Sequence, residues 1–101
     1  MNSDCHALIQ VRVSGVSALR EVIGKNTAVT LKSGSTLGDL LNKLEEKFGS
    51  AYKKITGERL EYSLKRRFNV LYNGRAIPPE DNLDKTLGDN DELLFFQLAG
   101  A

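Results

Sequence analysis

The 101-residue sequence predicts an α+β fold in which a mixed sheet of four to five strands wraps around one main helix. Three observations support this prediction: two strand-like segments come first, one long amphipathic segment follows, and an apolar run lies near the end. That run, Leu93-Leu94-Phe95-Phe96, shows no polar alternation, which is typical of a strand buried on both faces.

The bulk composition excludes several classes of function. Fourteen Lys and Arg stand against 13 Asp and Glu, so a net charge of +1 gives no global field for nucleic acid or anionic membranes. The chain begins without the basic and apolar regions of a signal peptide, and no segment reaches the roughly 18 apolar residues that span a bilayer. We therefore expect a cytoplasmic protein. The only cysteine and histidine, Cys5 and His6, cannot complete a zinc site, so we expect no metal.

The N-terminal part predicts two strands behind a flexible polar arm, residues 1–6. Residues 7–14 alternate between apolar and polar side chains, which is the pattern of a half-buried strand. Residues 15–24 place apolar side chains at near-helical spacing and predict a short turn or loose helix. Residues 27–32 predict the second strand, and Ser33-Gly34-Ser35 ends it.

The main helix is predicted over Leu37–Phe48. Thr36 can cap its first turn, and Asp39 favours the positive end of the helix dipole. Gly49 predicts the C-terminal end of the helix. One apolar stripe faces the sheet and consists of Leu37, Leu40, Leu41, Leu44 and Phe48.

Residues 51–67 allow two interpretations. Tyr52 and Ile55 can extend the helical layer, whereas the following apolar residues alternate with polar ones and allow a strand. The alternating residues are Leu60, Tyr62 and Leu64.

The densest basic run of the chain is Lys65-Arg66-Arg67. Its simpler interpretation is a solvated strand end, and the alternative is a docking contact for an acidic partner. Three cations without interleaved aromatic residues are too few to indicate nucleic-acid binding.

A hairpin is predicted after this run. Residues 68–72 form one strand, and Asn73-Gly74 favours a type I′ turn because both central residues of that turn need positive φ. Residues 75–77 return briefly until Pro78-Pro79 stops the pairing, and residues 79–82 follow as a loop.

The end of the chain combines core, turn and strand signals. Leu83 and Leu87 are expected to fill the core, and residues 88–91 turn the chain into a final strand over residues 91–98. Only small residues follow, at 99–101.

Leu87-Gly88-Asp89-Asn90-Asp91-Glu92, the apolar strand and the Ala-Gly-X ending resemble the MoaD/ThiS family of ubiquitin-like sulfur carriers. Leu-Arg-Glu-Val-Ile-Gly at 19–24 is similar to the segment that follows the first strand in MoaD-type carriers. The resemblance covers most of residues 7–101. It implies a ubiquitin-like β-grasp fold over 7–98, with the final strand in the centre beside the first, and an exposed tail at 99–101.

By this resemblance the protein is a carrier that acts with partner enzymes and is not itself an enzyme. It has no catalytic residue or permanent cofactor; the carboxylate of Ala101, after Gly100, is the acyl site, and Leu98 and Ala99 enter the partner. A ubiquitin-activating-like enzyme uses ATP to adenylate the carboxylate, which then becomes a thiocarboxylate. The acceptor is a molybdopterin-synthase-like large subunit or another sulfur acceptor, and the molybdopterin or tungstopterin type is favoured over the thiamine type.

The ending departs from the family in two ways. Gly100-Ala101 stands where the family ends in Gly-Gly, and the tail is about one residue shorter, roughly 3.3–3.6 Å of extended chain. Three accounts are open: the partner accommodates Ala101, a protease removes it, or acyl chemistry has been lost. In the last case the chain is a ubiquitin-like interaction module or a small enzyme subunit. Candidate partner contacts are Arg66, Arg67, Arg75 and Phe96.

Overall fold

The computed structural model describes residues 7–97. The predicted arm at 1–6 and the tail residues Leu98, Ala99, Gly100 and Ala101 lie outside the described residues. The elements are β1 (Leu8–Gly15), α1 (Ser17–Ile23), β2 (Thr27–Lys32), α2 (Leu37–Thr56), α3 (Leu60–Arg66), β3 (Asn69–Tyr72), β4 (Arg75–Ile77) and β5 (Glu92–Phe96). A short 3-10 helix, Pro79–Asp81, forms in the segment predicted as a loop.

The five strands form one mixed sheet in the order β2-β1-β5-β3-β4. β5 is parallel to β1 and antiparallel to β3, so it occupies the centre of the sheet. This confirms the predicted α+β class and the position of the final strand beside the first. The arrangement is the β-grasp, in which a mixed sheet curves around one main helix.

One face of the sheet packs against the helices and forms the core. The alternation in β1 is confirmed, since Ile9, Val11 and Val13 are buried while Gln10 and Arg12 are exposed. Most of the leucine stripe of α2 is fully buried against this face, and each such leucine contributes about 1.5–3 kcal/mol to folding. The buried stripe residues are Leu37, Leu40, Leu41 and Leu44.

The prediction that β5 is buried on both faces is wrong for one of them. Leu93 and Phe95 point into the core and are buried, whereas Leu94 and Phe96 lie on the opposite face and are only half-buried. No helix covers that outer face in residues 7–97. The apolar run therefore contains core residues and surface residues in alternation.

Gly49 does not end the main helix, which continues to Thr56 and ends at Gly57 with φ of 79°. Gly49 is buried inside the helix, and a Cβ there would collide with Oε2 of Glu45. The Glu45 side chain occupies this space to accept a hydrogen bond from the backbone N–H of Glu61 at 2.8 Å. Gly49 thus leaves room for a contact between α2 and α3, which a helix-stop interpretation missed.

The possible strand at residues 60–64 is a helix, α3. Leu60, Ser63 and Leu64 are buried, at the spacing of one helical face, while Tyr62 is exposed. The polar residue Ser63, three positions after Leu60, concealed this period, because Leu60, Tyr62 and Leu64 alone look like strand alternation. The basic run consequently ends a helix and not a strand.

The hairpin between β3 and β4 is confirmed. Asn73 and Gly74 have φ of 47° and 89°, and Tyr72 pairs with Arg75 across the two-residue turn. Leu87 is buried and Leu83 packs against the core at partial exposure. Within residues 7–97, the helices are all too short or too polar to cross a membrane.

Candidate functional site

β5 ends at the same edge of the sheet at which β1 ends and β3 begins. The last residue of β1, Gly15, pairs with Phe95, and the first residue of β3, Asn69, pairs with Phe96. Gln97 is exposed and outside the strand. The chain therefore leaves the centre of the sheet after Phe96.

The other end of β5 is held by a carboxylate. Asp91 Oδ2 accepts hydrogen bonds from the hydroxyl of Tyr72 and from the backbone N–H of Gly88 at 2.7 Å, and Oδ1 accepts from Asn73 Nδ2 at 2.9 Å. The Asp91 carbonyl also accepts from Arg12 N at 2.8 Å. We call Asp91, Tyr72, Asn73 and Gly88 the Asp91 node. It ties the start of β5 to β1, the hairpin and the preceding turn.

The node changes the proton affinity of both of its titratable groups. Burial raises the pKa of the Asp91 carboxyl, but hydrogen bonds from Tyr72, Gly88 and Asn73 outweigh burial, and the pKa is lowered overall. Burial, with the hydrogen bond to Asp91, raises the pKa of the Tyr72 hydroxyl to about 12. Lys85 Nζ lies 4.8 Å from the centre of the Tyr72 ring and adds a cation beside the pair. Both shifts favour the charged Asp91 and the neutral Tyr72.

The outer face of the sheet carries an apolar row beside the exit of the chain. The register aligns Ser14, Leu94, Leu71 and Ala76 across four strands, and Phe96 lies one step closer to the exit. A hollow of about 330 Å³ opens on this face; its lining includes Arg12, Ser14, Asn26, Leu71, Glu92 and Leu94. Half-buried apolar side chains within a polar rim are a candidate protein docking site.

The predicted contact residues divide between two ends of the sheet. Phe96 lies on the outer face at the exit, and Arg66 and Arg67 precede Asn69, its neighbour, by three and two residues. Arg75 pairs with Tyr72 and lies at the opposite end, beside the Asp91 node. The structure therefore brings Phe96 and the basic run to one end of the sheet and separates Arg75 from them.

Internal ion pairs already hold the two arginines of the basic run. Arg67 Nε donates to both carboxylate oxygens of Glu58, at 2.8 and 2.9 Å, and Arg66 Nη1 lies 3.5 Å from Glu80 Oε2. This pairing lowers the pKa of the Glu58 carboxyl, through its hydrogen bonds from Arg67 and Ser63, and raises the pKa of Arg67. Both arginines remain largely exposed.

Sequence reasoning did not find the Asp91 node or the apolar row. Leu71 and Leu94 look like core residues because a sequence pattern does not say which face of a central strand the helices cover. The node joins side chains 18 and 19 positions apart, and only the register of β3 with β5 brings them together. Among residues 7–97, no group of three His, Cys, Asp or Glu side chains is arranged to hold a metal ion.

Comparison with known families identifies one match. The sequence model of the ThiS family matches residues 16–100. This range includes every described element except β1. No curated protein matches the sequence.

Several solved structures share the fold. The HVO 2177 protein of Haloferax volcanii is 27% identical, with a TM-score of 0.71 over 100% of this chain and 94% of its own. Small archaeal modifier protein 1 of Haloferax volcanii is 26% identical, with a TM-score of 0.64 over 88% of this chain and 97% of its own. A putative molybdopterin converting factor subunit 1 from Pyrococcus furiosus is 18% identical and covers 88% and 97%; its TM-score of 0.61 is a likeness of fold.

Proposed function

The chain belongs to the ThiS family of small ubiquitin-like sulfur carriers, and we propose that it carries sulfur on the carboxylate of Ala101. In this proposal Gly100 and Ala101 form the acyl site, and Leu98 and Ala99 enter the active site of an adenylating partner. The chain carries the sulfur, and partner enzymes catalyse the ATP-dependent activation and deliver the sulfur. These steps take place in the cytoplasm.

The observation that supports this proposal is the way β5 ends. Its start is held by the Asp91 node, and at its other end β1 stops at Gly15 and β3 begins at Asn69, so the chain leaves the sheet from a strand whose register is fixed. The residues that follow Gln97 are one leucine and three small residues. A narrow segment that starts from a fixed point can reach into a partner at little cost in ordering the carrier.

The chemistry follows from the properties of a carboxylate. A carboxylate is a poor electrophile, so the partner first joins it to the α-phosphate of ATP and releases pyrophosphate. A hydrosulfide sulfur supplied by the partner then attacks the acyl carbon; the new C–S bond forms as the C–O bond to phosphate breaks, and AMP leaves. The product is a thiocarboxylate, whose sulfur an acceptor can use. We favour a molybdopterin-synthase-like acceptor over a thiamine-type one.

The docking face for the adenylating partner is the apolar row on the outer face of the sheet. Three half-buried apolar residues lie near the exit of β5, so a partner that binds the tail also contacts them. They are Leu94, Leu71 and Phe96. Half-exposed apolar side chains of this kind lose their remaining water contact on docking, which stabilises the complex.

The test is intact mass spectrometry of the full chain with the adenylating enzyme, ATP and sulfide. We expect replacement of one oxygen by sulfur at the C-terminal residue, and none without ATP. The variant Ala101→Gly restores the usual family ending and measures whether the methyl group matters. Ala99→Gly is the matched control, because it makes the same change two residues before the acyl carbon.

Transfer that is unchanged in Ala101→Gly indicates a partner with room for the methyl group, and faster transfer indicates a site shaped for glycine. A terminal carboxylate that keeps both oxygens, in a chain that still binds the enzyme stably, contradicts the proposal. That result supports the alternative of an interaction module or small enzyme subunit.

A second candidate function follows from one relative. Small archaeal modifier protein 1 is named as a modifier and is 26% identical to this chain. We propose as the alternative that a lysine amine of a target protein attacks the same adenylate and forms an amide with Ala101. Conjugates that survive thiol and hydroxylamine treatment and contain the Ala101–lysine amide by peptide mass spectrometry support this alternative.

A further inference from the structure

A second surface lies in the helical layer, on α3. Tyr62 exposes 46% of its surface, and the guanidinium carbons of Arg66 and Arg67 lie 5.7 and 6.0 Å from the centre of its ring. We call Tyr62, Arg66 and Arg67 the α3 ridge. Because a guanidinium group is attracted to the face of an aromatic ring, the tyrosine holds two cations together at the surface.

The ion pairs of the ridge leave hydrogen-bond donors unused. Arg67 contacts Glu58 through Nε, so these two bonds do not use Nη1 or Nη2. The pair between Arg66 Nη1 and Glu80 is 3.5 Å long, and both side chains are more than half exposed. An exposed pair of this length contributes little, so a second carboxylate can take the place of Glu80.

The charges of the chain are unevenly distributed. Residues 53–67 contain six Lys and Arg and two Glu, whereas residues 68–97 contain six Asp and Glu and two Lys and Arg. The ridge lies at the end of the positive segment. A basic segment of this kind favours an acidic partner over a basic one.

We propose that the α3 ridge binds an acidic segment of a partner protein. A carboxylate of that segment bridges the free donors of Arg66 and Arg67, and an apolar side chain beside it packs on the exposed ring of Tyr62. This interaction goes beyond the proposed carrier function, since it needs neither the tail nor acyl chemistry.

The surroundings of the ridge favour a short acidic protein segment over nucleic acid. A hollow of about 290 Å³ extends from Arg66 and Arg67 to Glu80 and Asp81, so carboxylates border the cationic surface. A phosphate backbone needs a broad positive surface that contacts several phosphates at once. Two arginines beside two acids instead match a segment with one or two carboxylates.

The test is an NMR titration of the ¹⁵N-labelled full chain, at low salt, with a short peptide that carries two glutamates next to a leucine. We expect amide shifts confined to residues 60–69, 80 and 81, and we expect them to disappear at high salt. A hexalysine peptide and a single-stranded oligouridylate are titrated in parallel. Shifts spread over the whole surface, no shifts at all, or tighter binding of the oligonucleotide overturn the proposal.

Two substitutions make the test specific to the ridge. Arg66→Ala and Tyr62→Ala are each expected to weaken peptide binding by about two- to fivefold, the size of one exposed charge-assisted contact. Arg59→Ala is the matched control, because Arg59 precedes the same helix, is 64% exposed and pairs with Glu61 at 3.4 Å. An equal loss in Arg59→Ala assigns the effect to net charge and overturns the proposal. The rest of each spectrum reports that the variant is folded.

Discussion

The two ends of β5 differ in how firmly the surrounding protein holds them. At its start, the Asp91 carboxylate accepts three hydrogen bonds, and Glu92 pairs with Asn73 through both backbone and side chain. At its end, Phe96 has a strand neighbour on one side, and Gln97 is outside the strand. One end of this short strand therefore fixes its register, and at the other end the chain leaves the sheet. A carrier of a terminal group needs both.

The largest effect is expected from the core residue that precedes the exit. Phe95→Ala removes a fully buried ring and should lower the free energy of unfolding by about 3–5 kcal/mol, measured by urea denaturation. Phe96→Ala, on the half-buried outer face, should lower it by roughly 1 kcal/mol. Phe96→Ala should instead weaken binding to the adenylating partner. Equal losses of stability would contradict the division of β5 into a core face and a docking face.

The next effect concerns the Asp91 node. Asp91→Ala leaves the donors of Gly88, Asn73 and Tyr72 without their acceptor and should lower the free energy of unfolding by about 1–3 kcal/mol. Asp89→Ala is the control, since Asp89 accepts one backbone hydrogen bond, from Gln10 at 2.8 Å, and is exposed. If the two variants lose the same stability, the node does not anchor the strand.

The node also predicts how stability depends on pH. Because the pKa of Asp91 is lowered from 3.8 on folding, its contribution is complete above that value and is lost as the pH falls through the lower folded pKa. The pKa of Tyr72 is raised from 10.0 to about 12, so its contribution is complete below pH 10 and is lost as the pH rises towards 12. Urea denaturation across the pH range should show one loss of stability at acid pH and another at alkaline pH, and Tyr72→Phe should remove the alkaline loss.

The smallest effect is expected beside the exit. Ser17, the first residue of α1, has φ of 55°, in the left-handed region. Ser17→Gly should raise the free energy of unfolding by about 0.5 kcal/mol, because glycine adopts this conformation without strain. Ser50→Gly, in the middle of α2, should lower it by a similar amount. A loss of stability in both variants would show that the backbone at Ser17 is not strained.

The sequence predicts those elements whose signals are local. Thr36 caps α2 as expected and accepts a hydrogen bond of 3.3 Å from Asp39 N, while the Asp39 carboxylate accepts one of 2.9 Å from Thr36 N; Asn73-Gly74 forms the expected turn. These features depend on residues within a few positions of one another. The apolar alternation of β1 likewise reports directly which of its faces meets the core.

The sequence misleads where distant parts of the chain decide. Gly49 looks like a helix end because its role depends on a distant residue. It makes room for the Glu45 side chain, which contacts Glu61 of α3, 16 positions along the chain. Leu94 looks like core because nothing in its neighbourhood indicates that the outer face lacks a helix. The candidate site is also decided by distant parts of the chain, because strand register forms its apolar row. The role proposed for the tail residues depends on a partner protein.

The pairing of β1 with β5 has a consequence for how the chain is made. Gln10 N donates to Asp89 across 79 positions of sequence, and the two strands occupy adjacent places in the sheet. Contacts over such separations form late in folding, because closing the intervening loop costs entropy before any contact forms. During synthesis, β1 and α2 leave the ribosome without the strand that completes their core. A nascent chain interrupted before residue 92 thus lacks its central strand and cannot complete the sheet.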